Sequence, residues 1–155
     1  MAARPHRLVV LLALVLCGGC PPPAAAQPAT VAATPAPAEV TAELRRGVEL
    51  ARARFEARDL TGVLATISEQ YRSAGMTKSA LREELAAMFA LYRELQARVA
   101  LDRVELVAGG IRIYTSGEVS GRLPVVGWVT VLTWQGEPEV VRREATGWRL
   151  YGFQD

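Results

Sequence analysis

The spacing of the apolar residues changes partway along this chain, and that change constrains the fold more than any motif does. Val40, Leu44, Val48, Ala51 and Phe55 recur every three or four positions, which places them on one face of a helix. Arg45, Arg46, Glu49, Arg52 and Glu56 fall off that face. Leu60, Val63, Leu64, Ile67 and Tyr71 predict a second helix, with Asp59 as its N-cap and Ser73-Ala74-Gly75 as its end. Thr77 or Ser79 then opens a third, whose stripe is Leu81, Leu85, Met88, Tyr92, Leu95 and Val99.

Beyond this point the period is two. Val104, Leu106 and Ala108 alternate with Arg103 and Glu105, and Ile111, Ile113 and Thr115 with Arg112, Tyr114 and Ser116. Gly109-Gly110 between them is a two-residue hairpin signal. Ser120-Gly121-Arg122-Leu123-Pro124 reads as a loop. Residues 125–134 read as a long strand, with Val126, Trp128, Leu132 and Trp134 on one face and Val125, Val129 and Val131 on the other. Gly136-Glu137-Pro138 reads as a turn, and residues 140–145 and 148–153 as a last hairpin around Thr146-Gly147. No helical pattern separates the strands, so parallel crossovers are not expected. The expectation is an α+β domain of three N-terminal helices on a five-stranded antiparallel sheet.

The first 38 residues do not belong to that domain. Arg4 and Arg7 precede the apolar run Leu8-Val9-Val10-Leu11-Leu12-Ala13-Leu14-Val15-Leu16, and Cys17-Gly18-Gly19-Cys20 follows. A basic start, a short apolar run and small residues before a cut make an export signal. The run is about half of the roughly 20 apolar residues that a transmembrane helix needs. Gly18-Gly19-Cys20 resembles the lipobox of bacterial lipoproteins, although Cys17 stands where that family prefers Leu. The resemblance implies cleavage before Cys20, acylation of its thiol and attachment to an envelope membrane. Pro21 in place of Asp after the Cys slightly favours the outer membrane. The alternative is an ordinary secretory cut, which leaves a soluble periplasmic or secreted protein. Six prolines between Pro21 and Pro37, with Ala and Thr among them, predict an extended tether. At roughly 3.1 Å per residue it reaches on the order of 50 Å. The domain organisation is therefore a signal over 1–19, a lipidated Cys and tether over 20–38, and one domain over 39–155 of about 117 residues.

Processing changes the chemistry available. The whole chain carries 18 Lys and Arg, 16 Asp and Glu and one His. His6, Arg4 and Arg7 lie in the signal, so the remainder carries sixteen charges of each sign and no His. Net basicity then gives no argument for nucleic acid binding. With only Cys20 left, an intrachain disulfide and a Cys or His metal site are not expected, and no cofactor is implied.

One family fits the order of these segments. Arg58-Asp59-Leu60-Thr61-Gly62-Val63-Leu64, then Tyr71, a third helix and a meander closing on Arg143-Glu144-Ala145-Thr146-Gly147-Trp148-Arg149-Leu150 resemble the nuclear transport factor 2-like superfamily, which includes ketosteroid-isomerase-like and SnoaL-like proteins. The resemblance implies a cone, in which a curved sheet wraps a long helix around a pocket. Many members carry a short hairpin between the second and third helices, and Arg72 to Met76 leaves no room for one. Enzymes of the superfamily place Asp, His or Tyr in the cone. A general base here would have to be Asp59, Asp102, Glu118 or Glu144. Each has a plainer role: cap, solvated junction, strand end, and cross-strand partner of Arg149. No catalytic residue is assigned. Tyr71, Tyr92, Tyr114, Trp128, Trp134, Trp148 and Tyr151, with Arg112, are the candidate pocket residues, set against the reading that the aromatics are core. Three expectations follow. The first is a non-catalytic, lipid-anchored module that binds a partner protein, a peptide or a small apolar ligand. The second is a ketosteroid-isomerase-like or SnoaL-like enzyme with a buried carboxylate. The third is a dimer through the outer sheet face, burying Val125, Val129 and Val131 or Trp128 and Trp134.

Overall fold

The structure is a computed structural model that describes residues 34–153. The signal, Cys20 and most of the tether lie outside the described residues. The elements in chain order are β1 (Thr34–Pro35), α1 (Ala38–Glu56), α2 (Leu60–Leu64), β2 (Arg72–Ser73), β3 (Met76–Thr77), α3 (Lys78–Leu91), β4 (Glu94–Val107), β5 (Gly110–Leu123), β6 (Gly127–Glu144) and β7 (Gly147–Gly152). The main sheet is five-stranded and antiparallel in the order β1-β4-β5-β6-β7, with the helices on its inner face. The expected α+β class and a five-stranded sheet are both present, although β6 joins two of the expected strands and β1 comes from the segment expected to be tether.

Helix α1 follows its stripe: Leu44, Ala51 and Phe55 are buried, and Glu49, Arg52 and Glu56 form a ladder on the outside. Arg58, at a φ of +57°, turns the chain out of the helix, and the Asp59 carboxylate accepts the Gly62 N–H at 2.8 Å to cap α2. Both sheet edges are covered. Glu56 accepts the Ala97 N–H on β4 at 2.9 Å, and β1 pairs with Glu105 and Leu106 farther along the same strand. On the other side Ser68 N–H donates to the Leu150 carbonyl and Leu150 N–H to that of Thr66.

Several expected boundaries differ, each for a physical reason. Helix α2 is one turn, and Ile67 and Tyr71 reach the core from irregular chain beyond it. A hairpin of β2 and β3 fits after it, so the space between the helices that looked too short is sufficient. Helix α3 stops at Leu91, Tyr92 is extended, and Leu95 and Val99 belong to β4. Gly136-Glu137-Pro138 is not a turn but part of β6, which runs unbroken from Gly127 to Glu144. The hairpin turns fall one residue earlier than expected, at Ala108-Gly109 and Ala145-Thr146.

Bulges account for the differences within β6. Gln135 and Gly136 oppose the single residue Ser116, and another register shift lies beside Val131. Each inserts a residue and reverses which face the following side chains take. Trp128 therefore lies outward opposite Arg122, whereas Trp134 lies inward opposite Gly117 and is buried. The face expected to hold both does not exist. The irregularities at Asp102, Ser116 and Gly136 line up across β4, β5 and β6. The Ser116 hydroxyl donates to Asp102 at 2.5 Å and accepts the Gly136 N–H at 2.9 Å. Bulges bend the strands that carry them, so this row is where the sheet bends, which gives Asp102 a structural task. Ser116→Ala is expected to cost about 1–2 kcal/mol, since it removes both bonds. Urea denaturation checks this, and an unchanged midpoint would show that the row does not hold the bend.

Candidate functional site

A cleft of about 380 Å³ opens between α1 and the β6–β7 hairpin. Leu44, Val48 and Ala51 of α1 form one wall, Ile113 and Val141 of the sheet the floor, and Trp148 and Leu150 the other wall. The helix contributes because its stripe faces the sheet. The hairpin contributes because the turn at Ala145-Thr146 folds β7 back along β6. Two guanidinium groups, Arg54 and Arg149, are the charged groups of the lining. Arg54 donates to the Gly62 carbonyl at 3.0 Å, and Arg149 to the Trp148 carbonyl at 3.1 Å and the Thr146 hydroxyl at 2.6 Å. These contacts hold each head in place and leave several of its five donors for a ligand. At the rim, Trp148 Nε1 donates to Glu43 at 2.8 Å, and Arg143 lies 3.5 Å from the same carboxylate oxygen. An apolar trough with fixed guanidinium groups suits an amphipathic anion.

Of the eight sequence candidates, Trp148 lines this cleft and the other seven do not. Tyr71 is wholly buried, with its ionisation pushed far up by burial. Trp134 is buried and donates to the Thr115 hydroxyl at 3.1 Å. Tyr92 seats against Gly121, where a side chain would collide with its ring. Tyr151 donates to Glu144 at 2.9 Å beneath the Arg142 guanidinium, 4.6 Å from the ring centre. Arg112 and Tyr114 share the outer face: Arg103 covers the Tyr114 ring at 3.9 Å, and Arg112 stands opposite buried Glu105. Trp128 is exposed.

The four carboxylates considered as bases also lie outside the cleft. Asp59 caps α2, Asp102 accepts from Ser116, and Glu118 accepts from Ser120. Glu144 does not hydrogen-bond to Arg149; it accepts from Ser68 at 2.8 Å and from Tyr151, and these bonds hold its ionisation below the usual carboxylate range. The acid that sequence reasoning missed is Glu139. It is 1% exposed, and neither carboxyl oxygen has a hydrogen-bond partner among the described residues. Burial, with a smaller push from Glu137, raises its pKa to about 8. Its strand neighbours Ile113 and Val141 line the cleft, while Glu139 itself does not. Its signal in the sequence was parity: it sits two residues before the apolar Val141, on the inner face. Among the described residues, no group of three or more His, Cys, Asp or Glu is placed to hold a metal ion.

No protein-family model and no curated protein matches the chain. Solved structures do. Aln2 from a Streptomyces species superimposes with a TM-score of 0.62 at 15% identity, covering 76% of this chain and 90% of its own. A Streptomyces avermitilis protein from the nuclear transport factor 2-like family superimposes with a TM-score of 0.60 at 11% identity, covering 75% and 94%. Bd1075 of Bdellovibrio bacteriovorus gives 0.58 at 11% identity over 73% of this chain, which spans only 40% of that one. With the helices packed on one face of a bent antiparallel sheet, the chain has the fold of the nuclear transport factor 2-like proteins.

Proposed function

We propose that the protein is a non-catalytic binding module, held to an envelope membrane through acylated Cys20, whose cleft takes a small apolar ligand with an anionic end. One observation carries the reading: the lining is mostly apolar and its charged groups are Arg54 and Arg149, so its fixed charge attracts an anion and it supplies no general base. Trp148 reports on occupancy because its indole lines the cleft. Dodecanoate is expected to change Trp148 emission on binding, and dodecanol to bind more weakly. Arg149→Gln is expected to weaken dodecanoate about tenfold, the worth of one charge-assisted hydrogen bond, and to leave dodecanol unchanged. Equal affinities for acid and alcohol in both proteins would sink the reading. Intact-mass measurement of the exported protein tests the anchor, which should add acyl chains to a chain that begins at Cys20.

A second reading, a ketosteroid-isomerase-like enzyme with a buried carboxylate, draws support from Glu139. A carboxyl kept neutral by burial is the type of group that such chemistry uses. Its absence from the cleft lining and its 1% exposure favour the binding module.

A further inference from the structure

At the end of the sheet away from the cleft, β5 and β6 close on Leu123 and Gly127 around a loop of Pro124, Val125 and Val126. Val125 is 96% exposed and Val126 70%, and Trp128 just behind them is 43% exposed. No charged residue occurs between Arg122 and Glu137. Leu91, also exposed, ends α3 on the same side, since Arg93 N–H donates to the Arg122 carbonyl at 3.0 Å. Arg93 and Arg122 flank the tip, Arg122 bridged to Glu94 at 2.6 Å, and Arg58 donates to the Phe89 and Tyr92 carbonyls behind it. The tip is a protruding apolar point with an indole behind it and guanidinium groups around its base. Exposed apolar residues in such a cluster mark a contact site. An indole flanked by Arg favours the boundary between headgroups and acyl chains.

We propose that this tip inserts into the interfacial region of the bilayer that holds the anchor. The proposal rests on the anchored reading above. The choice of a bilayer as occupant comes from the length of chain outside the structure. Fourteen residues lead from Cys20 to Thr34, which when extended reach about 43 Å. The chain enters the sheet beside Glu105 and Leu106; Glu94, at the far end of that strand, is roughly 36 Å away at the rise of a strand, and the tip lies two or three residues past its partner Arg122. The lead therefore spans the domain, and anchor and tip reach one surface together. In that pose the cleft, at the opposite end of the sheet, faces away from the membrane.

The test uses the full exported chain reconstituted in vesicles of phosphatidylcholine with a minor share of phosphatidylglycerol, with and without brominated acyl chains. Brominated lipid is expected to remove about one third of the emission, the share of one indole in three. Trp128→Phe should abolish that quenching. A Val125→Asp, Val126→Asp double variant should abolish it too, while floating with the vesicles as the unaltered protein does. Flotation without quenching in the unaltered protein overturns the insertion and leaves the anchor standing. Undiminished flotation and quenching of a Cys20→Ser variant that begins at residue 20 means that the tip binds without the anchor, which supports insertion, and intact mass decides the anchored reading separately. Trp128 shielded from a soluble quencher without lipid, together with a dimer in sedimentation, shows that a second copy covers the tip and also overturns the proposal.

Discussion

Stability is expected to fall as the pH rises from about 4.5 to about 8, and Glu139→Gln is expected to abolish most of that fall. The sign follows from where the proton sits. In the unfolded chain the Glu139 carboxyl ionises at its ordinary value of 4.5, and in the fold burial holds it neutral up to about 8. Between those values the folded state binds one proton more than the unfolded state, so stability drops by about 1 kcal/mol for each pH unit. Below the window both states are protonated and the residue carries no pH dependence. Two groups interact with it electrostatically. Tyr71 stays neutral throughout the window because burial pushes its ionisation far up, and Glu137, itself raised by partial burial, repels a second negative charge. Glu144 works in the opposite sense but outside the window: its hydroxyl partners stabilise the carboxylate, and that contribution is lost only as the pH falls below the carboxylate range. Gln keeps the shape and polarity of the neutral acid and cannot ionise. The variant should match the parent near pH 4.5 and exceed it by a few kcal/mol at pH 8. Parallel denaturation midpoints for the two proteins across this range would show that Glu139 ionises freely in the fold.

The same residue shows where reading the sequence stops. Period two correctly gave alternating strands, but a bulge reverses parity without leaving any mark in composition. The one at Val131 separated Trp128 from Trp134, and the one at Gln135 and Gly136 set Glu139 on the same inner face as Trp134. The end of α3 was hidden by arithmetic. Leu95 and Val99 are four apart, which suits a helix, but four is also even, so the two share a strand face with Ala97 and Leu101 as well. The first helix, the Asp59 and Thr77 caps and the closing hairpin were legible because each depends on neighbours in sequence. The cleft was not, since it forms where α1 meets a hairpin about a hundred residues later. Aromatic residues pointed to a pocket on type alone. Tyr71 and Trp134 are core because the fold gives them space against backbone, and glycines distant in sequence provide it.

Gly117 shows how strict that provision is, and Gly117→Ala is expected to be among the most damaging single substitutions in the domain. A methyl group at this position would overlap the Arg98 carbonyl oxygen on one side and the six-membered ring of Trp134 on the other. The carbonyl belongs to the β4–β5 ladder and cannot retreat without breaking the pairing of Val99 with Gly117. The indole is anchored at its far end by its bond to Thr115 and is packed in the core. Overpacking usually costs about 1–3 kcal/mol, and with neither neighbour free to yield the upper end applies. For a domain of this size that lowers the melting temperature by on the order of 10 °C. A double-mutant cycle separates the two collisions. Trp134→Leu alone leaves a cavity and should cost a few kcal/mol. Combined with Gly117→Ala it removes the ring that the methyl would strike, so the pair should cost clearly less than the sum of its parts, by about 1 kcal/mol or more. Strict additivity would mean that the Arg98 carbonyl alone excludes a side chain, and that the indole does not depend on the missing one.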